Sequence, residues 1–248
     1  MPETQITSYT DPRLSAVYDA LNPSGPDDAF YIDLAGKTPK SILDMGCGTG
    51  RLACHLAALG HSVTGADPAA AMLEIARRRP GADKVTWLNL AAANLAIRTR
   101  FDLIVMTGHV FQVFLTDSHI YAALQSLRLH LAPGGRLAFE TRNPALRKWE
   151  DWTPDKTWKR VEVAGIGPVQ LHHVTQMVLG QLLTYESHFR FGENDVVHTT
   201  DRLRFVNRDE LAIFLADAGF VEVTWYGDWD RSPIAANSPE IIVVAGLA

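Results

Sequence analysis

Asp44, Gly46, Gly48 and Gly50 alternate along SILDMGCGTGRLACHLAALG, residues 41–60. Glycine at this spacing lets backbone turn where a side chain forbids it, or pass close to a bound group. A second carboxylate, Asp67, ends the run VTGAD about 20 residues beyond the glycines. It could accept hydrogen bonds from both hydroxyls of a ribose, and it would repel a 2′-phosphate. Together these residues suit an adenosine-like group with a free diol. Two familiar nucleotide signatures are incomplete: Arg51 stands where the third glycine of G-x-G-x-x-G belongs, and no Gly-Lys-Ser/Thr follows.

Other residues could do chemistry beside that loop. His109, in MTGHVFQVFLT, suits general-base work near neutral pH, or it shapes a pocket. Gln112 follows one helical turn later and could orient a polar ligand. Arg142 and Asn143, in ETRNP, reach the same rim; Arg142 suits a carboxylate or phosphate, or a salt bridge to Glu140 or Glu150. Trp149, Trp152 and Trp158 either pack on an apolar ligand or anchor their own segment. Tyr18 and Tyr31 close over the site as a lid, or simply pack. His172 and His173 are adjacent, so on a strand they point to opposite faces; with His188 and His198 they are not expected to form a metal site.

The elements that must position these residues show an alternating pattern from Lys40. SILDM, HSVTGAD, KVTWLNL, FDLIVMTG and RLAFETRN read as strands, with GRLACHLAALG, AAAMLEIARRR and DSHIYAALQSLRLHLAPGG as helices between them. This order implies βαβ units and a parallel sheet, whose ligand crevice lies beyond the carboxyl ends of the strands. APGG, residues 132–135, reads as a helix stop before a strand. Residues 11–37 read as helical, broken by a turn at NPSGPDD, residues 22–28. Three runs near 168–178, 181–191 and 195–206 alternate with period two, and GENDV is a hairpin turn between the last two. NRDELAIFLADAGF then restores a helix, with Asn207 and Glu210 spaced as a capping box. VEVTWYGD and EIIVVAGLA are two closing strands.

The ordered set ILDMGCGTGRLACHLA, VTGADPAAAMLEIARRR, FDLIVM and LAPGGRLAFE resembles the class I S-adenosylmethionine-dependent methyltransferase family, small-molecule type. The resemblance covers about residues 40–143 and 206–248. It implies an α/β, Rossmann-like three-layer sandwich with a seven-stranded, mostly parallel sheet whose last strand is antiparallel, plus an antiparallel β insertion. The expected division is an N-terminal helical cap at 1–39, a core at 40–144 and 206–248, and an insertion at 145–205 serving as lid or dimer surface. S-Adenosylmethionine is the implied cofactor, held by Asp44, Gly46, Cys47, Gly48 and Gly50 at its methionyl end. Asp67 takes the ribose, with Pro68 and Met72 beside the adenosine, and Met106 and Thr107 lie beneath the sulfonium. The acidic residue that many relatives use for the adenine edge falls at Ala91, next to Ala92, so backbone or Asn94 must replace it. The implied reaction moves a methyl group to a small-molecule N or O acceptor, with His109 as candidate base and His109, Gln112, Arg142, Asn143, Tyr18 and Tyr31 facing the acceptor.

Composition narrows the alternatives. The 248 residues are 47% hydrophobic with a net charge of −5, and no basic stripe marks a nucleic-acid surface. The one dense basic run, residues 76–80, closes a helix-like segment, where cations favour the dipole. Two cysteines, Cys47 and Cys54, make no disulfide framework, and neither sits where a cytosine-methylating nucleophile belongs. No apolar run has membrane length, so a cytoplasmic setting is expected. A nicotinamide oxidoreductase, a binding protein for the cofactor or its demethylated product, and a methyltransferase acting on protein or RNA are the competing readings.

Overall fold

The computed structural model describes residue 9 and residues 11–247. The expected cap at 1–39 therefore lies partly outside the described residues. What is described begins with α1 (Pro12–Leu21) and α2 (Pro26–Ala35), each opening on a proline at its first turn. Asp11 caps α1 by accepting from the Arg13 amide at 2.8 Å. The interruption between them is shorter than NPSGPDD suggests. Pro26, Asp27 and Asp28 form the first turn of α2, where acidic groups favour the helix dipole.

The core strands are β1 (Ser41–Met45), β2 (Ser62–Ala66), β3 (Val85–Leu88), β4 (Phe101–Met106) and β5 (Leu131–Arg142). Between them run α3 (Arg51–Ala58), α4 (Ala70–Ala76) and α5 (Asp117–Leu129). Then come α6 (Pro154–Thr157), β6 (Lys159–Val163), β7 (Gly167–Leu179), β8 (Leu182–Arg190), β9 (Val196–Arg204), α7 (Arg208–Asp217), β10 (Glu222–Tyr226) and β11 (Glu240–Gly246). Seven strands form one sheet in the order β10-β11-β5-β4-β1-β2-β3. β1 to β5 pair in parallel, and β11 pairs antiparallel with both β10 and β5. The fold class read from the sequence is the one observed.

Both sheet faces are covered, which is why the strands read as continuous apolar runs. Leu43, Ile104, Leu137 and Val243 face α5 and α7; their neighbours Ile42, Leu103, Ala138 and Ile242 face α2 and α3. The capping box at the start of α7 is formed by Asn207 and Glu210. Two boundaries differ from the sequence reading. α5 stops at Leu129, and β5 already includes APGG, absorbing it as an irregularity in pairing between Phe101 and Leu103 of β4. α4 stops at Ala76, so the arginines of the basic run lie in the turn after it.

The second sheet has four antiparallel strands, β6-β7-β8-β9, rather than the three runs expected. β6 is the strand that pattern missed: Lys159–Val163 carries three charges in five residues, as an edge strand with little buried surface does. α1 lies on this sheet. Leu14, Val17 and Leu21 pack on Val169, Leu171, Phe189 and Val197. A second apolar group, Trp149, Leu183, Tyr185, Leu203 and Phe205, lies toward the other end of the same sheet.

Candidate functional site

The loop after β1 lies at the carboxyl edge of the sheet. Gly46, Gly48 and Gly50 all have left-handed backbone, with φ of 78°, 53° and 77°. At Gly46 a Cβ would also stand 2.6 Å from Cγ2 of Val110, so neither the turn nor the packing admits a side chain. The amides of Gly46 and Cys47 both donate to the carbonyl of Ala66, tying the loop to the end of β2. Cys47 is buried and its thiol is pushed up by burial, then by Asp44 and Asp67. It is inert as a nucleophile in this state.

Asp44 is 1% exposed, and its Oδ1 has no hydrogen-bond partner. Burial pushes its carboxyl up to about 7, helped by the negative charges of Asp67 and Asp28. A buried, unpartnered carboxylate oxygen is expensive unless a donor or cation meets it. Asp67 accepts from the Gly48 amide at 2.9 Å and from the Ala69 amide at 2.7 Å, one bond on each oxygen. Each oxygen keeps a lone pair for a hydroxyl donor. A place for an ammonium at Asp44 and for a diol at Asp67, with the glycine loop between them, fits the sulfonium-linked amino acid and nucleoside of the cofactor implied by the sequence.

The neighbouring candidates take varied places. Met72 is buried on α4, while Pro68 is exposed at the end of β2. Ala91 and buried Ala92 begin a short 3-10 turn at Ala92–Asn94. Asn89 donates to the carbonyls of Asp67 and Pro68 at 2.9 and 3.0 Å, bracing the ribose-side loop. Asn94 is exposed. Met106 is buried at the end of β4 and Thr107 is half-buried just after it.

His109 follows Gly108 in left-handed backbone, with φ of 61°. Two glutamates hold it. Its amide donates to Glu140 Oε1 at 2.6 Å, and its Nε2 lies 2.9 Å from Glu240 Oε2. Glu140 is 1% exposed, and burial raises its carboxyl against the pull of His109. Tyr31 donates its hydroxyl to the other oxygen of Glu140. Tyr31 is therefore no lid. It is fully buried with Phe30 and Trp229 against its ring, and it supports the floor of the site. Asn143 also turns away from the crevice: it accepts from the Ala145 amide and donates to the carbonyls of Ser238 and Ala236, fixing the loop before β11.

Arg142 pairs with neither Glu140 nor Glu150. Its Nη1 donates to Oε1 of fully buried Gln112 at 2.7 Å, and its guanidinium lies 5.6 Å from the ring of Trp152. Gln112 in turn donates to the Arg204 carbonyl on β9, joining the core to the second sheet. Tyr18 is half-buried on α1, where burial raises its hydroxyl and the charges of Arg51, Asp67 and Arg142 all reach it. It lies between the glycine loop and the Arg142 corner. Of the three tryptophans, Trp149 is core, Trp152 lines this corner and Trp158 is exposed.

Sequence reasoning passed over several residues at this crevice. Glu140 and Glu240 are carboxylates inside or beside apolar strands, a signal that was available. Tyr185 and His173 come from the inner face of the second sheet, with rings 4.9 and 6.1 Å from Trp152. Asp19 on α1 accepts from the Thr49 hydroxyl at 2.6 Å and pairs with Arg79. Arg79 thus bridges α1 to the glycine loop rather than merely closing a helix. On the outer face of that sheet, His172, His188 and His198 form a row, the first pair stacked and the second tilted, with ring centroids 4.6 and 4.2 Å apart.

Residues 42–135 match the family model described as a methyltransferase domain. A ubiquinone biosynthesis O-methyltransferase of Cereibacter sphaeroides is 32% identical over 168 residues, 56% of this chain and 66% of that protein. The ubiquinone/menaquinone biosynthesis C-methyltransferase UbiE of Zymomonas mobilis is 28% identical over 235 residues, 89% of this chain and 86% of that protein. The CcbJ methyltransferase structure from Streptomyces caelestis superposes with a TM-score of 0.75 at 23% identity, over 98% of each chain.

Proposed function

For a chain that is an S-adenosylmethionine-dependent methyltransferase of the class I fold, with its methyltransferase domain at residues 42–135, we propose that the acceptor is a small molecule methylated at N or O. The observation that supports this reading is the junction of the two sheets. The glycine loop is bonded to Asp67 and, through Thr49, to Asp19 on α1; Arg142 is braced on Gln112, and α1 packs on the second sheet. A net charge of −5 speaks against a polyanionic acceptor. The quinone-pathway names of two relatives, one an O-methyltransferase and the other a C-methyltransferase, support a small-molecule acceptor without fixing its atom.

When bound, the cofactor supplies a methyl group already activated on a sulfonium. The chain must therefore bind, orient and deprotonate. Asp44 would hold the ammonium of the cofactor and Asp67 its ribose hydroxyls, with Met106 and Thr107 beside its methionyl part. His109 receives the proton that an N–H or O–H acceptor must lose, through a ring nitrogen. Glu240 fixes the ring, and Glu140 fixes the backbone that presents it. Alignment of acceptor and methyl group can supply roughly 7–11 kcal/mol of the barrier, and base catalysis a further factor of about 10²–10⁴.

Transfer of labelled methyl to a metabolite fraction tests this. His109→Ala should lower the rate by about 10²-fold or more while leaving cofactor affinity within a factor of about three. Unchanged turnover in that variant would remove His109 from the chemistry.

A further inference from the structure

The cations around this crevice are almost all matched. Arg51 lies 3.3 Å from Asp28, Arg204 lies 2.6 Å from Asp117, and Arg79 pairs with Asp19. His109 has Glu240. Arg142 is different. Among the described residues it has no carboxylate partner, although two acids were close in sequence. Glu140 is occupied by Tyr31 and the His109 amide, and Glu150 is held by Arg147 at 2.6 Å. Across the strand pair, Glu240 stands in register with Arg142, yet its carboxylate goes to His109.

The guanidinium is nonetheless firmly placed. Gln112, which is fully buried, receives one N–H, and Trp152 lies against its face. A guanidinium has five N–H donors, so four remain. Among the described residues none of its nitrogens is both sealed from solvent and unpartnered, so the remaining donors reach solvent. Beside it stand a phenol, an imidazole and one carboxylate, Asp201, whose charge acts on the same Tyr185 hydroxyl as that of Arg142. Burial keeps the Tyr185 hydroxyl protonated, and it drives His173 down to about 4, so that imidazole is neutral. Asp201 belongs to the same sheet face and accepts from the Thr199 hydroxyl at 3.2 Å. A braced guanidinium with open donors, in a pocket of aromatic rings, matches a planar or tetrahedral oxyanion in two-point contact.

We infer that the methyl acceptor carries an oxyanion, a carboxylate or a phosphate, that seats on Arg142 while its nucleophile faces His109. This deepens the proposed function and rests on it. Arg142 is then the residue that sets acceptor class, and Gln112 and Trp152 position it.

The test uses the full chain loaded with S-adenosylhomocysteine and four matched probe pairs observed by ligand-detected NMR: benzoate with benzamide, 4-hydroxybenzoate with its methyl ester, glucose 6-phosphate with glucose, and glycerol 3-phosphate with glycerol. The account predicts that at least one anion binds roughly tenfold or more tightly than its neutral partner. That ratio should fall to near one in Arg142→Met and be partly kept in Arg142→Lys. The acid pairs and the phosphate pairs tell the two oxyanions apart. S-Adenosylhomocysteine titration of each variant reports an intact fold. Equal binding of both members, or a ratio that survives Arg142→Met, overturns the inference and leaves the small-molecule reading standing. No binding by any of the eight probes overturns the inference; transfer of label to protein or RNA alone would bring down the reading beneath it as well.

Discussion

At the scale of single residues, Asp44 is the plainest case of a buried carboxyl held at a cost. Its carboxyl is raised from the ordinary aspartate range to about 7, first by burial. The folded value lies above the unfolded one, so the folded chain holds this proton more tightly. Stability therefore falls as pH climbs from about 4 to about 7, and the penalty is complete above that. Asp44→Asn should remove this slope and raise the melting temperature at pH 8, with little change at pH 4, as differential scanning calorimetry would show. The same variant should lose at least tenfold in S-adenosylmethionine affinity at pH 8. A variant that melts no higher at pH 8 would mean that the wild-type carboxyl is not strained. Much of this was legible in the sequence, because glycine spacing and two acids at strand ends announce a backbone-lined site. The roles of Tyr31 and Asn143 were not. A tyrosine or asparagine near a crevice looks the same in sequence whether it faces ligand or braces a loop; only the partners, Glu140 in one case and backbone carbonyls in the other, decide.

At the scale of elements, α1 is the piece that joins the two sheets. Its apolar side lies on β7, β8 and β9, and its polar side reaches the glycine loop through Asp19. Arg79 completes that junction by donating to the Thr49 carbonyl at 3.0 Å and pairing with Asp19. These bonds are half-buried and charge-assisted, worth roughly 1.5–3 kcal/mol together with the groups left behind. The Arg13–Asp195 pair at the other end is exposed and contributes about 1 kcal/mol or less. Asp19→Ala should therefore speed hydrogen exchange across α1 and the glycine loop while β4 and β5 stay protected. Arg13→Ala should leave exchange nearly unchanged. Equal effects of the two variants would contradict this division. The element order was readable from hydrophobic period, but β6 was not. Only Val161 and Val163 alternate among its charges, too short a run to stand out, and it is held by pairing with β7 and by those two valines on the cluster with α1.

At the scale of the whole molecule, α1 joins the parallel strands to the second sheet, and among the described residues Arg51, Arg79 and Arg204 have carboxylate partners while Arg142 has none. The outline of the larger sheet followed from local pattern, since buried parallel strands are apolar throughout. How the second sheet folds over the crevice did not, because it depends on contacts between Gln112 and Arg204 and between α1 and β7, β8 and β9, which are distant in the chain. The central claim is methyl transfer to a small molecule. It is tested most directly by incubating the purified protein with methyl-labelled S-adenosylmethionine and an extract of its source cells, then separating the products by size. The account predicts label in the low-mass fraction, lost in His109→Ala. Label confined to protein or RNA, or no transfer despite cofactor binding, would contradict it.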